Sequence, residues 1–242
     1  MKNTTKTTSI LAAIVFVFSV AVNADDITVS NPAGPPSGNV AIANPNYDGS
    51  LQIQGRFRAS NSSDWRSITQ TFTWPTNLWM DGLQLRLGNS QPTWTIDDPY
   101  NGYRNGTQEY TLVVQALNSS SVPTSLVAQL FFTLTSDKIA PDTWIYFDLD
   151  SNLNLSQNQL YGFELTPSGP PSKDYRTYFN TSTNDYAGGR GAQANPQSSN
   201  LPRTTAYGSA GTDYTMYFTA IPEPATIILF SFALIGLLTR KK

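Results

Sequence analysis

The chain has 242 residues, a length that suits one domain with two terminal segments, and it is weakly acidic, with 15 basic and 17 acidic residues. It contains no histidine and no cysteine. These absences exclude Ser-His-Asp and Cys-His catalytic relays, cysteine nucleophiles, disulfide bonds and zinc sites built on His or Cys. The basic residues are scattered, which argues against a nucleic-acid partner, because phosphate binding requires clustered Lys and Arg.

The N-terminus has the layout of a secretory signal peptide. Lys2 and Lys6 precede an apolar stretch over 10–22, and small residues end at Ala24, before two aspartates. The apolar stretch has 13 residues, whereas a membrane-spanning helix needs about 20. We therefore expect residues 1–24 to engage the secretory translocon and to be cleaved after Ala24, rather than to remain as an anchor.

Residues 25–220 show strand patterns and no helical period. Leu51, Ile53 and Phe57 alternate with polar neighbours, as do the leucines of 83–87. Further strand candidates, bounded by Gly, Pro, Asn or Ser, are 67–74, 110–117, 127–135, 144–149, 159–166 and 213–219. About eight short strands predict an all-β fold, an antiparallel and jelly-roll-like β-sandwich. We expect its core to include Trp74, Trp79 and Trp144.

One stretch of the domain, 167–211, differs in composition. It is rich in Gly, Pro, Ser, Asn and Thr and is long for a loop in a compact domain. Aromatic residues interrupt it, namely Tyr175, Tyr178, Phe179 and Tyr186. We therefore predict a long, partly packed loop rather than full disorder.

Aromatic and acidic residues lie together in a segment that Pro, Gly and Asn mark as a loop. They are Trp94, Asp97, Asp98, Tyr100 and Tyr103. Sugar rings stack on Trp and Tyr while polar side chains orient the hydroxyl groups. The segment therefore predicts contact with exopolysaccharide. The alternative, an aromatic loop that folds over one end of the sandwich, stays open.

Carboxylates are the catalytic groups that remain. The domain has two glutamates, Glu109 and Glu164. Glu164 alternates with Phe163 and Leu165, so we expect it at a solvated outer position. A glycosidase needs two carboxylates flanking a cleft, and no pair in the domain stands out. A non-catalytic surface protein is the preferred interpretation, and a polysaccharide-modifying hydrolase or lyase that uses carboxylates alone is the alternative.

The same groups are the only candidates for a metal site. Asp148, Asp150 and Asn152 are spaced at every other residue, as oxygen ligands of calcium in a loop can be. The glycine and glutamate of an EF-hand do not follow them. Turn formation without a metal is the preferred interpretation. No cofactor is expected, and calcium is the alternative.

The C-terminus, 221–242, has three features in a fixed order. A proline-glutamate-proline motif precedes an uncharged stretch over 225–239, and a basic tail closes the chain. As a helix, these 15 residues reach about 22 Å, less than a hydrocarbon core of about 30 Å. We predict a short transmembrane helix over 225–239 with the tail in the cytoplasm. The motif is Pro222, Glu223 and Pro224, and the tail is Arg240, Lys241 and Lys242.

This order resembles the PEP-CTERM signal that exosortases process in Gram-negative, exopolysaccharide-producing bacteria. The resemblance covers 222–242 and implies that Pro222, Glu223 and Pro224 form the recognition element. It also implies a precursor in the inner membrane, processing by an exosortase, and delivery to the cell surface, the extracellular matrix or the medium. Within 67–219, stretches such as Gln70-Thr71-Phe72 and Leu160–Leu165 are similar to exported β-sandwich domains that precede this signal, which implies a fold and no activity.

Overall fold

The computed structural model describes residues 26–57, 63–88, 107–167, 175–183, 186–194, 201–207 and 212–222. Its strands are β1 (Ile27–Ser30), β2 (Val40–Asn44), β3 (Gly49–Phe57), β4 (Ser63–Thr73), β5 (Trp79–Arg86), β6 (Thr107–Leu117), β7 (Pro123–Thr135), β8 (Trp144–Leu153), β9 (Leu160–Pro167), β10 (Tyr175–Ser182), β11 (Gly191–Ala194), β12 (Asp213–Tyr214) and β13 (Met216–Ile221). A single 3₁₀ turn, Ser136–Lys138, is the one helical element in these ranges.

The strands form two sheets in which the paired strands are antiparallel. The smaller sheet has the order β1-β8-β5-β13-β2. The larger sheet has the order β12-β10-β3-β4-β9-β6-β7, and β11 pairs with β4. Hairpins join β3 to β4 and β6 to β7, whereas the connections from β4 to β5 and from β7 to β8 change sheet. The predicted all-β antiparallel sandwich is confirmed.

One apolar core lies between the two sheets. Leu83 and Leu85 of β5 and Phe147 of β8 enter it from the smaller sheet, because alternate residues of a strand point to the same face. The closest ring contact joins the sheets, with the centroids of Phe72 and Phe218 4.4 Å apart. Burying such a side chain stabilises the fold by about 1.5 to 3 kcal/mol.

The predicted core tryptophans divide into three cases. Trp74 is fully buried, as predicted, and its ring packs edge-on against Phe218. Trp79 is only partly buried and is outside the core cluster. Trp144 is buried but lies on the outer face of the smaller sheet, because Ile145 and its alternate neighbours occupy the inner face.

The outer face of the larger sheet is also buried along β4 and β9. Its polar residues Thr69, Thr71 and Glu164 are each less than 5% exposed. Two stretches of the chain, 186–194 and 201–207, contact this face and are defined here as the cover. Thr71 exchanges hydrogen bonds with Arg190, and Thr69 Oγ1 donates to Ala192 O.

The structure corrects the prediction of a long loop over 167–211. Within its described parts, this region contributes β10 to the larger sheet and β11 to the edge of β4. The ring of Tyr207 lies over Gly162, where an added Cβ would come within 2.8 Å of a ring carbon. Composition alone did not reveal this packing, because Gly, Ser and Thr are equally suited to loops and to a close approach between backbones.

The prediction that Glu164 is solvated is wrong. Glu164 is 1% exposed and forms an ion pair with Arg203 of the cover, with Nε to Oε2 and Nη2 to Oε1 distances of 3.0 Å. Ser67 Oγ donates a third hydrogen bond, 2.5 Å from Oε1. The alternation that assigned Glu164 to the outer face was correct, but the residues that cover this face lie far along the chain.

Replacing Glu164 by Gln should lower the free energy of unfolding by about 3 kcal/mol, because the guanidinium of Arg203 would stay buried without a counter-charge. The measurement is urea denaturation of residues 25–222. The double variant Glu164→Leu with Arg203→Met should recover most of the loss, because it removes both charges. Arg190→Gln, at an exposed arginine, is the control. An unchanged midpoint for Glu164→Gln would contradict a stabilising ion pair.

Candidate functional site

The predicted site residues are only partly within the described ranges. The aromatic segment that holds Trp94, Asp97, Asp98, Tyr100 and Tyr103 lies outside them, and so do Ala24, Glu223, Pro224 and the basic tail. Pro222 is described, and it is exposed directly after the last residue of β13. Those roles therefore remain predictions.

The predicted calcium ligands lie on a strand and not in a loop. Asp148, Asp150 and Asn152 belong to β8, and both aspartates are exposed on its outer side. Asp148 pairs in register with Gly82, next to Asp81. Among the described residues, no group of three or more His, Cys, Asp or Glu side chains is arranged to hold a metal ion.

The carboxyl of Asp148 lies near two other aspartates, Asp81 and Asp150. Local desolvation, followed by the charges of Asp81 and Asp150, raises the pKa of the Asp148 carboxyl. Asp81 lies beside a β-bulge in the pairing of β5 with β8, and its Oδ1 atom is buried without a hydrogen bond. Like charges that raise a pKa destabilise the ionised form, so in the absence of a cation this corner of the sheet opposes folding at neutral pH.

A second group of side chains lies on the same outer face and was not predicted. Arg86 of β5 lies opposite Trp144 of β8. Its guanidinium carbon is 4.1 Å from the ring centroid of Tyr47 and 5.9 Å from that of Trp144. The Trp144 ring in turn packs on Tyr217 of β13, with centroids 5.3 Å apart. We define these four residues as the arginine patch.

The strands explain the position of the patch. Arg86 alternates with Leu85 and Leu87, which point into the core, so its side chain has to point outward. Gln84, between Tyr146 of β8 and Tyr217 of β13 on the same face, is buried and donates a hydrogen bond to Gly34 O in the connection from β1 to β2. Alternation predicted an outward arginine, but nothing local indicated that aromatic residues from three other segments meet it.

Residues 87 and 88, which precede the predicted aromatic segment, are fixed beside this patch. Leu87 N donates to Thr143 O, and Asp142 N donates to Gly88 O. Gly88 is the last described residue before that segment, and the Asp142 carboxylate is 3.7 Å from the Arg86 guanidinium. The segment therefore starts at the edge of the arginine patch.

The arrangement as a whole defines the class of protein. An all-β domain ends at Ile221, and a proline-glutamate-proline motif, an uncharged stretch and a basic tail follow it. Residues 220–242 match the family model described as the PEP-CTERM protein-sorting motif. The chain is thus an exported, exosortase-sorted protein with a β-rich ectodomain.

Two further findings accompany this match. Comparison with the curated proteins gave no match. No helix in the part of the chain that the structure describes is long and apolar enough to cross a membrane. The predicted helix over 225–239 lies outside that part.

Replacing Asp148 by Asn should raise the urea midpoint at pH 7 and have little effect at pH 3. A raised pKa in the folded state gives stability below the unfolded pKa of about 3.9 that is lost as the pH rises through the folded pKa. The variant removes the charge that causes this loss. Asp137→Asn is a control of opposite sign, because a hydrogen bond from Thr135 leads the causes that lower the Asp137 pKa.

The wild-type protein and Asp148→Asn also test the alternative that calcium binds here. With millimolar calcium at pH 7, a midpoint that rises for the wild type and not for Asp148→Asn would establish a cation site at this corner. Equal midpoints with calcium and with a chelator would remove the calcium alternative.

Proposed function

We propose that the chain is a non-catalytic component of the cell surface or extracellular matrix whose ectodomain holds exopolysaccharide. The match of residues 220–242 to the sorting motif carries the export and processing part of this proposal. In this proposal, the secretory translocon delivers the precursor to the inner membrane, and an exosortase then removes the C-terminal helix and its basic tail.

The environment of Glu164 supports a non-catalytic role. A general acid or base of a glycosidase needs a carboxyl group that reaches the substrate and exchanges protons near the working pH. Both oxygens of Glu164 are occupied by Arg203, and Oε1 also accepts from Ser67. This glutamate is used to hold the cover on the larger sheet. Histidine and cysteine, the other common proton-transfer and nucleophilic groups, are absent from the chain.

The arginine patch and the start of the aromatic segment support binding of a sugar polymer. Exposed aromatic rings bind the C–H faces of sugars, and polar side chains fix their orientation. Tyr47 is 53% exposed, and its ring lies on Arg86, two residues before Gly88 and the predicted aromatic segment. An exposed ring beside an arginine is therefore present among the described residues, and Trp94 and Tyr100 remain predicted contacts.

The processing part predicts that the protein from the producing bacterium lacks the C-terminal helix. Mass spectrometry of its C-terminal peptide should find no chain that ends at Lys242. Glu223→Ala should leave a membrane-bound precursor that keeps this residue, because the recognition motif is broken. Glu109→Ala, at a glutamate of the folded domain, should be processed normally. A wild-type protein that still ends at Lys242 would contradict the proposal.

The binding part predicts that residues 25–222 sediment with exopolysaccharide from the same organism. Trp94→Ala and Tyr100→Ala should each weaken the binding by up to about tenfold, given about 0.5 to 1.5 kcal/mol for an aromatic contact. Arg190→Gln, on the cover, should bind as the wild type does. If the polymer sediments and the wild-type domain stays in solution, the binding part of the proposal is contradicted, and the chain is a surface protein that holds no polysaccharide.

A further inference from the structure

Among the described residues, aromatic rings rather than hydrogen bonds hold Arg86 in place. Its guanidinium lies over Tyr47 and near Trp144, and the Trp144 ring is fixed in turn by Tyr217. Stacking of this kind suits arginine, whose planar and weakly hydrated group packs on aromatic faces. The side chain is therefore positioned before any ligand arrives.

Few of the N–H donors of Arg86 have an acceptor in the part of the chain that the structure describes. Its Nε atom is buried and has no acceptor. The nearest carboxylate, that of Asp142, is 3.7 Å from Nη2, which is too long for a hydrogen bond. A guanidinium carries five N–H donors in a fixed fork. The side chain as a whole is 22% exposed, so part of it faces solvent.

We propose that the arginine patch binds the carboxylate of an acidic sugar, so that the polymer held by the ectodomain contains uronic acid. This inference rests on the proposed function, since it names the chemical class of the polysaccharide. The guanidinium fork matches a carboxylate in geometry and charge. The exposed ring of Tyr47 stands beside it and offers a surface on which the sugar ring stacks.

The charge of the domain makes this binding specific. Residues 25–220 contain ten basic and sixteen acidic residues, a net charge of −6. A polyanion is not attracted to such a surface in general, so its binding has to depend on a local cationic group. Arg86 supplies that group on the outer face of the smaller sheet.

Asp142 competes with the ligand for Arg86. Its side chain is 50% exposed and carries the charge that the ligand would bring. Its backbone φ of 57° lies in the left-handed region, which asparagine adopts as readily as aspartate does. Asp142→Asn therefore removes the competing charge without straining the backbone, and it should strengthen binding of a carboxylated polymer.

The test uses processed protein from the producing bacterium, with polygalacturonate and its carboxyl-reduced, neutral form as probes. Binding to polygalacturonate should fall about tenfold or more in Arg86→Gln, because a charged hydrogen bond is lost. Arg86→Lys should not restore it, since an ammonium group lacks the planar fork. Asp142→Asn should bind more tightly than the wild type. The melting temperature of each variant shows that it is folded.

The controls separate this inference from the proposed function. Arg190→Gln removes an exposed arginine of the cover, which lies over the other sheet, and this variant should bind as the wild type does. Equal binding of the acidic and the neutral polymer, or unchanged binding by Arg86→Gln, would overturn the inference. If polygalacturonate fails to bind while the native exopolysaccharide still sediments with the protein, the inference alone fails. If neither polymer binds, both fail.

Discussion

The lack of cysteine is the constraint on which the whole structure depends. An exported domain often gains stability from disulfides, but here packing and hydrogen bonds have to hold the sheets together. The contact of Phe72 with Phe218 joins the sheets at their centre. At one edge, Asp26 closes the sandwich, since its main chain bonds Phe131 of β7 and Asp150 of β8. Its Oδ2 atom also accepts a hydrogen bond from Phe131 N.

The same constraint accounts for the polar layer outside the larger sheet. A surface of Thr, Ser and Gln left in water would add no packing, but the cover buries it and satisfies its hydrogen bonds. On the opposite face of β4, Gln70 makes a related link: Nε2 donates to Asp213 Oδ1 at 2.8 Å, and Oε1 accepts from Tyr214 N. Asp213 Oδ2 then accepts from Tyr186 N at the start of the cover. Polar groups thus fix the path of a segment that has few large apolar side chains.

The sequence predicted those parts of the structure that depend on local periodicity. The alternating leucines of 83–87 and the run of β9 gave strands on the correct faces, because a strand exposes alternate residues whatever its neighbours are. The burial of Glu164 was missed because its partner, Arg203, is 39 residues away. Trp144 was assigned to the core for a similar reason, since a large aromatic residue in a strand is usually internal, and the rings that cover it come from other segments.

The directions of the strands separate the arginine patch from the sorting motif. In the pairing of β13 with β5, Met216 lies opposite Leu85 and Ile221 lies opposite Trp79. Arg86 of β5 therefore lies beside the start of β13, and Pro222 follows the end of β13. The four residue steps of strand from Tyr217 to Ile221 span about 14 Å. If the precursor is held in the membrane beyond Pro222, the patch lies at the end of β13 that is farther from this attachment, so the proposed binding of polymer is compatible with an unprocessed precursor.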